Sequence, residues 1–252
     1  MGKIAIATTT LSKHGKTVRP ALALKTVKAA RQMGIPIVVV YKGLRSPFIK
    51  KLEKHGTRAF PEKKPGMGHG RRQALAEAAR IAGKEGVVVW MEPEKHPFVR
   101  FIPALAKPIM KGRADLVIPM RSSLSSYPKD QQQEEALLNL VYEKIVGKKK
   151  ADFTFGPRLM DAKALSHFLR YKGEYGDEWD SIVIPILRAI KTGLAVRYEN
   201  VPYVHPKEQT REETGSARMF EKRIVQFCNI APALIEEAKK LGLPFYPLPP
   251  KL

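Results

Sequence analysis

The sequence predicts an α/β fold with a mostly parallel sheet and flanking helices. Short apolar, β-branched segments alternate along the chain with segments whose apolar residues recur at helical spacing. The first such unit is strand, helix and strand, and this order favours a right-handed crossover between parallel strands. At 252 residues the chain is long enough to bury one substantial core, and its composition is not that of a disordered or disulfide-framed protein. We expect one domain over residues 1–252.

The first strand-helix-strand unit is predicted over residues 3–41. Residues 3–10 are apolar and β-branched and predict a buried first strand, followed by a polar loop through residues 13–15. A helix is predicted over residues 20–33, because a proline opens it and Gly34 follows its last residue. Residues 35–41 then predict the second strand.

The middle of the chain brings an acidic motif to the mouth of the sheet. Helices are predicted over 46–55 and 71–82, with a basic, glycine- and proline-rich loop over 61–70 between them. Residues 86–91 form the most apolar predicted strand, which runs directly into Glu92-Pro93-Glu94. Ligands bind beyond the carboxyl ends of the strands in open α/β sheets, so these carboxylates are expected where chemistry takes place.

The second half is less regular. The predicted elements are helices over 98–111, 131–146, 162–171 and 177–192, strands over 114–119 and 195–201, a loop and short strand over 152–160, an amphipathic segment over 216–230, a last helix from Pro232 and an extended proline-rich tail over 244–252.

Composition limits the partners and the compartment. The net charge of +21 favours polyanions, whether nucleotide, nucleic acid or anionic lipid headgroups, although lysines that coat a solvated surface would give the same total. Cys228 is the only cysteine, which excludes a disulfide framework and indicates a reducing, cytoplasmic compartment. Neither a leader peptide nor an apolar stretch of about 18 residues is visible, so we expect no membrane span.

The order of several motifs resembles a known enzyme family. The motifs are the run from Pro65 to Leu75, which contains Gly66, Gly68 and Gly70; Glu92-Pro93-Glu94 with His96-Pro97; Ala114 to Arg121; Asp152 to Leu159; and Tyr198 to His205. In this order they resemble the A-type glycosyltransferases, and most closely the members similar to dolichyl-phosphate-mannose synthase and mannosylglycerate synthase. The resemblance covers most of the chain.

The resemblance implies a function and a division of the chain. It implies transfer of a sugar from a UDP- or GDP-linked donor to an unidentified acceptor, on an A-type glycosyltransferase fold. Residues 1–120 would form the nucleotide-binding half, 121–215 the acceptor-binding half, and 216–252 the C-terminal helices and tail. Association with an anionic membrane surface is a further possibility that the charge allows.

A divalent ion, Mn²⁺ or Mg²⁺, is implied at the acidic motif. Such an ion neutralises the leaving diphosphate and prefers oxygen ligands, which Glu92 and Glu94 supply. Relatives contact the metal with the last acid of the motif, so Glu94 is the stronger candidate, and His205 would complete the site. The alternatives are a surface turn whose acids pair with Lys95 or Arg100, and a structural histidine.

The resemblance also implies a donor site and a catalytic acid. Thr8, Thr9, Tyr41 and Lys42 would line the base and ribose, the glycines and Arg71 would approach the phosphates, and Arg121 and Arg158 would face the sugar. Tyr41 is equally typical of a core aromatic, and the glycines of a flexible connection.

Three acids remain as candidates for catalysis. Asp177, Glu178 and Asp180 would act on the acceptor or contact a sugar, although capping of a helix explains them as well. The stereochemistry stays open. The charged stretch 205–218 is predicted to be a lid over the donor.

Departures from the family pattern leave two other functions to consider. Two glutamates stand where relatives have aspartates, Tyr41-Lys42-Gly43 lacks an acid that many relatives carry, and Met67 replaces a lysine. A nucleotidyltransferase would need a glycine-rich signature after the first strand, which residues 8–15 match poorly. A basic protein that binds nucleic acid or a protein partner without catalysis is the other alternative.

Overall fold

A computed structural model describes residues 2–11, 17–43 and 46–245. The strands are β1 (Ile4–Leu11), β2 (Ile37–Lys42), β3 (Arg58–Pro61), β4 (Val87–Trp90), β5 (Leu116–Arg121), β6 (Arg158–Met160) and β7 (Val196–Val201). The helices are α1 (Arg19–Gln32), α2 (Ser46–Lys54), α3 (Met67–Ala82), α4 (Ile102–Met110), α5 (Lys129–Val146), α6 (Ala162–Arg170), α7 (Ile184–Lys191), α8 (Lys207–Glu213) and α9 (Ala217–Lys240). Short 3₁₀ helices span His96–Phe101, Phe153–Phe155 and Trp179–Ile182.

The strands form a seven-stranded sheet in the order β3-β2-β1-β4-β6-β5-β7. Its neighbouring strands are parallel except where β6 runs antiparallel to both β4 and β5. The predicted α/β architecture with a mostly parallel sheet is confirmed.

Both faces of the sheet are covered, because the side chains of a strand alternate between two apolar clusters. In β4, Val88 and Trp90 join the cluster that contains α3 and α9, whereas Val87 and Val89 join the cluster that contains α1 and α4. Strands buried on both faces read as continuous apolar runs, which explains why residues 86–91 are apolar throughout.

Several elements differ from the sequence prediction. Strand β3 was not predicted; it is a short edge strand that pairs only with β2 within the described sheet. Helix α3 begins at Met67, so residues 67–70 at the end of the predicted glycine-rich loop form the first turn of a helix. Helix α8 occupies the predicted lid. Helix α7 starts at Ile184 rather than at Asp177, which has a φ of 60° that a helix cannot contain.

Helix α9 is continuous through Pro232, where the sequence predicted the start of a new helix. A proline inside a helix removes one backbone hydrogen bond. Burial of Ala231, Ala233 and Leu234 on either side of it offsets that loss. The predicted loop at 13–15 and the tail from residue 246 onward lie outside the described residues.

None of the described helices combines the length and the hydropathy that a bilayer crossing requires.

Candidate active site

A cavity of about 380 Å³ opens at the carboxyl ends of β1 and β4. Helices α5, α8 and α9 close its other side. Its charged and histidine side chains are Arg19, Arg71, Glu92, Glu94, Lys95, Glu134, Glu135, Arg158, His205, Glu213, Arg218, Lys222 and Arg223. The acidic motif predicted at the sheet mouth lies in this cavity.

Glu94 is held in an ion pair. Its carboxylate lies 2.5 Å from Arg19, which bridges to Glu213 of α8 at 2.9 Å. Burial acts to raise the pKa of Glu94, but the charges of Arg19 and Lys95 outweigh it and hold this pKa below its ordinary value. Glu94 is therefore an ionised side chain that already has a cation beside it.

Glu92 has a different environment. Its Oε2 atom is buried and has no hydrogen-bond partner among the described residues, and its nearest cation, Lys95, is 3.8 Å away. The other oxygen lies against Gly156, where a Cβ atom would come within 2.0 Å of it. Gly156 therefore makes room for the Glu92 carboxylate in the cavity wall.

His205 is buried and stacks on Tyr127 with ring centroids 4.1 Å apart. Within the described part of the chain, neither ring nitrogen has a hydrogen-bond partner. Burial, followed by the charges of Lys95 and Arg121, lowers the pKa of His205 to about 2, so the imidazole is neutral at physiological pH. A neutral imidazole with free nitrogens is a competent metal ligand.

These side chains can supply only part of a metal's coordination shell. No group of three or more His, Cys, Asp and Glu side chains within residues 2–11, 17–43 and 46–245 gathers as a complete metal site. Glu92 and His205 each offer an unpartnered ligand atom to the cavity, and an ion held by them would take its remaining ligands from a bound molecule.

Two predicted arginines reach the cavity and are fully buried. Arg71 lies 5.4 Å from the ring centroid of Trp90 and donates to Ser181 Oγ at 2.9 Å, and burial lowers its pKa to about 10. Arg158 donates to the backbone carbonyls of Phe153 and Pro157. Backbone carbonyls leave the positive charge of Arg158 uncompensated, which favours an anion nearby.

Arg121, the third predicted arginine, lies behind the cavity wall. It donates to Asp152 at 2.6 Å and is paired with Glu135 at 2.6 Å, and its side chain is 1% exposed. Arg121 is not among the residues that line the cavity, and its predicted contact with a sugar stays a prediction.

The predicted nucleotide residues gather at a smaller recess beside the main cavity. Thr9, Tyr41 and Lys42 line it with Glu62, Met67 and Gly70. Thr9 and Met67 also line the main cavity, so the two spaces are continuous at β1 and α3. Thr8 is buried and lines neither space.

The glycines serve the packing of α3. Gly68 donates its N–H to the carbonyl of Asp177 at 2.8 Å, and a Cβ at Gly68 would lie 2.0 Å from Asp177 Oδ1. Gly66 caps the helix with a φ of 136°. Gly66 and Gly68 line neither space, and their predicted approach to phosphate stays a prediction.

The three acids predicted for catalysis form ion pairs or hydrogen bonds with other protein groups. Asp177 is paired with Arg72 at 2.5 Å, and Asp180 accepts hydrogen bonds from the Tyr171 hydroxyl and from the backbone N–H of Glu178. The Glu178 carboxylate accepts a hydrogen bond from the side-chain amide of Asn229 at 3.4 Å. All three lie outside the cavity lining, although their neighbour Trp179 belongs to it.

Sequence reasoning missed the acids of α5 and the cations of α9. Glu134 and Glu135 lie on the helix face that continues through Leu138, Tyr142 and Ile145, all of which are buried. Acids on the buried face of an otherwise apolar stripe are unusual, and this break in periodicity is the signal that could have found them.

The sheet order with its single antiparallel strand, and a cavity at the carboxyl ends of the strands, define the A-type glycosyltransferase fold. No family model matches the chain, and no curated protein matches it in sequence. Solved structures do match in fold.

Structures of Mycobacterium tuberculosis glucosyl-3-phosphoglycerate synthase are similar to this chain over most of its length. One aligns with a TM-score of 0.66 at 13% identity and covers 96% of this chain and 82% of the other. The complex with Mn²⁺, UDP-glucose and phosphoglyceric acid aligns with a TM-score of 0.68 at 14% identity over 96% and 81%. The complex with UDP gives 0.65 at 14% identity over 96% and 81%. At such identities the similarity establishes the fold, and the A-type fold predicted from the sequence is confirmed.

Proposed function

We propose that this protein is a glycosyltransferase that moves a sugar from a nucleoside-diphosphate sugar to an acceptor hydroxyl. The observation that carries the proposal is the cavity at the carboxyl ends of β1 and β4, where Glu92 and His205 present unpartnered atoms beside the buried cations Arg71 and Arg158. Buried polar atoms without partners are rare in native proteins, and their concentration in one cavity favours a polar ligand.

The charges of the cavity suit a diphosphate. Its cationic side chains outnumber its carboxylates, and some of the carboxylates are already paired with a cation, as Glu94 is with Arg19. Arg71 and Arg158 would bind phosphate oxygens, because desolvated guanidinium groups form strong charge-assisted hydrogen bonds with anions. The continuous recess at Thr9, Tyr41 and Lys42 would take the nucleoside.

A divalent ion, Mn²⁺ or Mg²⁺, would supply Lewis-acid neutralisation of the leaving diphosphate when bound. Glu92 would hold it, with His205 as a second protein ligand. Glu94 would keep Arg19 in place and so position α1 against α8. The similar structures support a divalent ion, because that enzyme has been solved with Mn²⁺ and UDP-glucose.

The nucleotide is proposed to be a uridine nucleotide. The similar enzyme binds UDP, which supports UDP over the GDP that the sequence left open. We also propose that the chain is one domain with a nucleotide-binding half at 1–120 and an acceptor-binding half at 121–215. The cytoplasm is the proposed compartment, and contact with an anionic membrane surface stays a prediction from the charge of +21.

Calorimetry tests the proposal directly. UDP and GDP are titrated into the protein with Mn²⁺ and with EDTA. Tighter binding of UDP in Mn²⁺ than in EDTA is the expected result. Equal affinity in both solutions would remove the metal from the proposal, and no binding of either nucleotide would overturn it. Salt-dependent RNA binding in the same preparation, without nucleotide binding, would favour the nucleic-acid alternative.

A further inference from the structure

A second cavity lies apart from the candidate active site. It has a volume of about 340 Å³ and is lined by residues of α4, of β7 and of the segments next to them. It shares no lining residue with the cavity that contains Glu92 and His205. We call it the α4/β7 groove. None of the residues proposed to hold the nucleotide or the metal belongs to it.

The α4/β7 groove combines apolar and cationic side chains. Leu105 and Val201 are buried in its wall, and Phe101 is partly buried. Its charged side chains are all at least partly exposed, and they are Lys107, Lys111, Arg113, Arg197 and Glu199. Glu199 is the single acid among these described residues, and it lies 3.8 Å from Arg197. The groove therefore carries an excess of positive charge, which favours an acidic partner.

The outer edge of β7 is open within the described sheet. Strand β7 pairs with β5 on one side, and no strand among the described residues follows it on the other. The carbonyl groups of Ala195 and Val201 accept hydrogen bonds from N–H groups at the two ends of β5, so the odd-numbered residues direct their backbone groups toward β5. The even-numbered residues, Val196, Tyr198 and Asn200, direct theirs outward. Such an edge is a template for another strand.

The side chains of β7 show which face of the sheet the groove occupies. Val201 packs in the apolar cluster that contains α4, whereas Val196 and Tyr198 pack against the opposite cluster. Side chains alternate along a strand, so Arg197 and Glu199 lie on the face that α4 covers. A chain paired with the outer edge of β7 would place every second side chain on this same face, beside the cations of the groove.

We propose that the α4/β7 groove binds an extended acidic segment of a partner protein, which adds to the sheet as a strand beside β7. The backbone of the segment forms hydrogen bonds with the outward N–H and C=O groups of β7, and these bonds supply affinity. Its alternate acidic side chains meet the cations of the groove and supply specificity. This interaction is independent of the glycosyltransferase function proposed above.

Charge and hydrogen bonding separate this partner from two others. A second copy of this chain would bring the same excess of cations to the groove, and the net charge of +21 opposes such a contact. Nucleic acid would pair its phosphates with the cations, but it has no strand that could pair with the outward backbone groups of β7. An acidic peptide satisfies both the cations and the strand edge.

Fluorescence anisotropy with a labelled peptide of alternating glutamate and valine tests the proposal. The peptide has six residues, which is the length of β7. It should bind the wild type, and Arg197→Glu should weaken binding by about 10-fold, because the reversal removes an exposed ion pair and adds a repulsion of similar size. Lys111→Glu should act in the same direction. Lys84→Glu makes the same change of charge at an exposed lysine outside the groove, and it should leave peptide binding unchanged.

Two modified peptides separate strand addition from attraction between charges alone. Methylation of alternate backbone nitrogens keeps every glutamate but removes the N–H groups that would donate to β7, and it should abolish measurable binding. A peptide of alternating lysine and valine keeps the N–H groups but reverses the charge, and it should not bind. Thermal unfolding of Arg197→Glu, Lys111→Glu and Lys84→Glu shows that each variant is folded.

Four results would overturn the proposal, and each has its own meaning. No binding of the acidic peptide to the wild type would remove the groove as a peptide site. Equal binding of the methylated and unmodified peptides would show attraction without strand pairing. Displacement of the peptide by a single-stranded RNA of equal affinity would indicate a nucleic-acid surface. Wild-type dimers that dissociate in Arg197→Glu, measured by sedimentation, would assign the edge of β7 to self-association.

Discussion

The acids of this protein lie in two regions with opposite surroundings. Near the start of α7, Asp177 and Asp180 are matched by a guanidinium, a tyrosine hydroxyl and backbone N–H groups. In the cavity wall, Glu92 and Glu134 each have a buried oxygen for which the described residues provide no hydrogen-bond partner. Acids of the first kind stabilise the fold, and acids of the second kind are available to a ligand. The presence or absence of a protein partner therefore distinguishes the acids that could bind a ligand, which the sequence alone does not do.

The strongest test of this comparison is within the acidic motif itself. Glu92→Gln should reduce the affinity for UDP in Mn²⁺ by at least about 10–100-fold, the range found even for groups that only support a metal ligand. Glu94→Gln should reduce it less, because Glu94 is engaged by Arg19. Calorimetry in Mn²⁺ and in EDTA measures both effects. The opposite order would support the sequence expectation that Glu94 is the principal metal ligand.

The acids that already have protein hydrogen-bond partners, such as Asp180, should contribute to stability and not to turnover. Asp180→Asn leaves buried donors without their acceptor, at a cost of about 1–3 kcal/mol in the free energy of unfolding for each donor left unsatisfied. Turnover per folded molecule should be unchanged. Denaturant unfolding and UDP release from UDP-glucose are the two measurements. A fall in turnover with normal stability would restore Asp180 as the catalytic acid that the family resemblance implies.

The close contact between α3 and Asp177 gives a test with an internal control. Gly68→Ala places a Cβ 2.0 Å from Asp177 Oδ1 and should lower the free energy of unfolding by about 1–3 kcal/mol through overpacking. Gly70→Ala meets Glu62 Oε1 at 3.3 Å, where a flexible side chain can give way. It should be near neutral. Equal effects of the two substitutions in denaturant unfolding would mean that helix propensity, and not the contact, governs this turn.

A further expected effect is a change in the pH dependence of stability. The pKa of Glu134 in the folded protein is raised to about 8, above its ordinary value. The folded state therefore binds this proton more tightly than the unfolded chain, and stability falls as the pH rises toward 8. Glu134→Gln has no such proton and should lose less stability between pH 5 and pH 9, as thermal unfolding across this range would show. Parallel curves for the two proteins would place Glu134 in a solvated setting.

The buried strands of the sheet could be predicted from the sequence, but the partners of the acidic side chains could not. Continuous apolar runs such as residues 86–91 are dictated by burial on both faces, so buried strands of this kind were predictable, whereas the partly exposed edge strand β3 was not. Whether an acid is free depends on contacts between residues far apart in the chain. Arg19 lies 75 residues from Glu94, and Arg72 lies 105 residues from Asp177. No local pattern reports such pairs.

The elements that were predicted wrongly also depend on distant contacts. The glycines at 66–70 are typical of a loop, but α3 begins there because Gly68 allows the backbone to approach Asp177. Pro232 is typical of a helix start, but tertiary burial carries α9 through it. The segment 205–218, predicted to be a lid, contains α8, and its movement stays a prediction.

The antiparallel strand β6 has a consequence for biosynthesis. It lies between β4 and β5 in the sheet, yet both of those strands are made before it. As the chain emerges from a ribosome, β1 to β4 can pair early, whereas β5 has no place in the sheet until residues 158–160 have been made. Until then β4 presents an open edge, which is a template for pairing with another nascent chain. Pairings between segments far apart in sequence also form slowly, so the insertion of β6 is expected to be a slow step of folding in the cell, at which misassembly can occur.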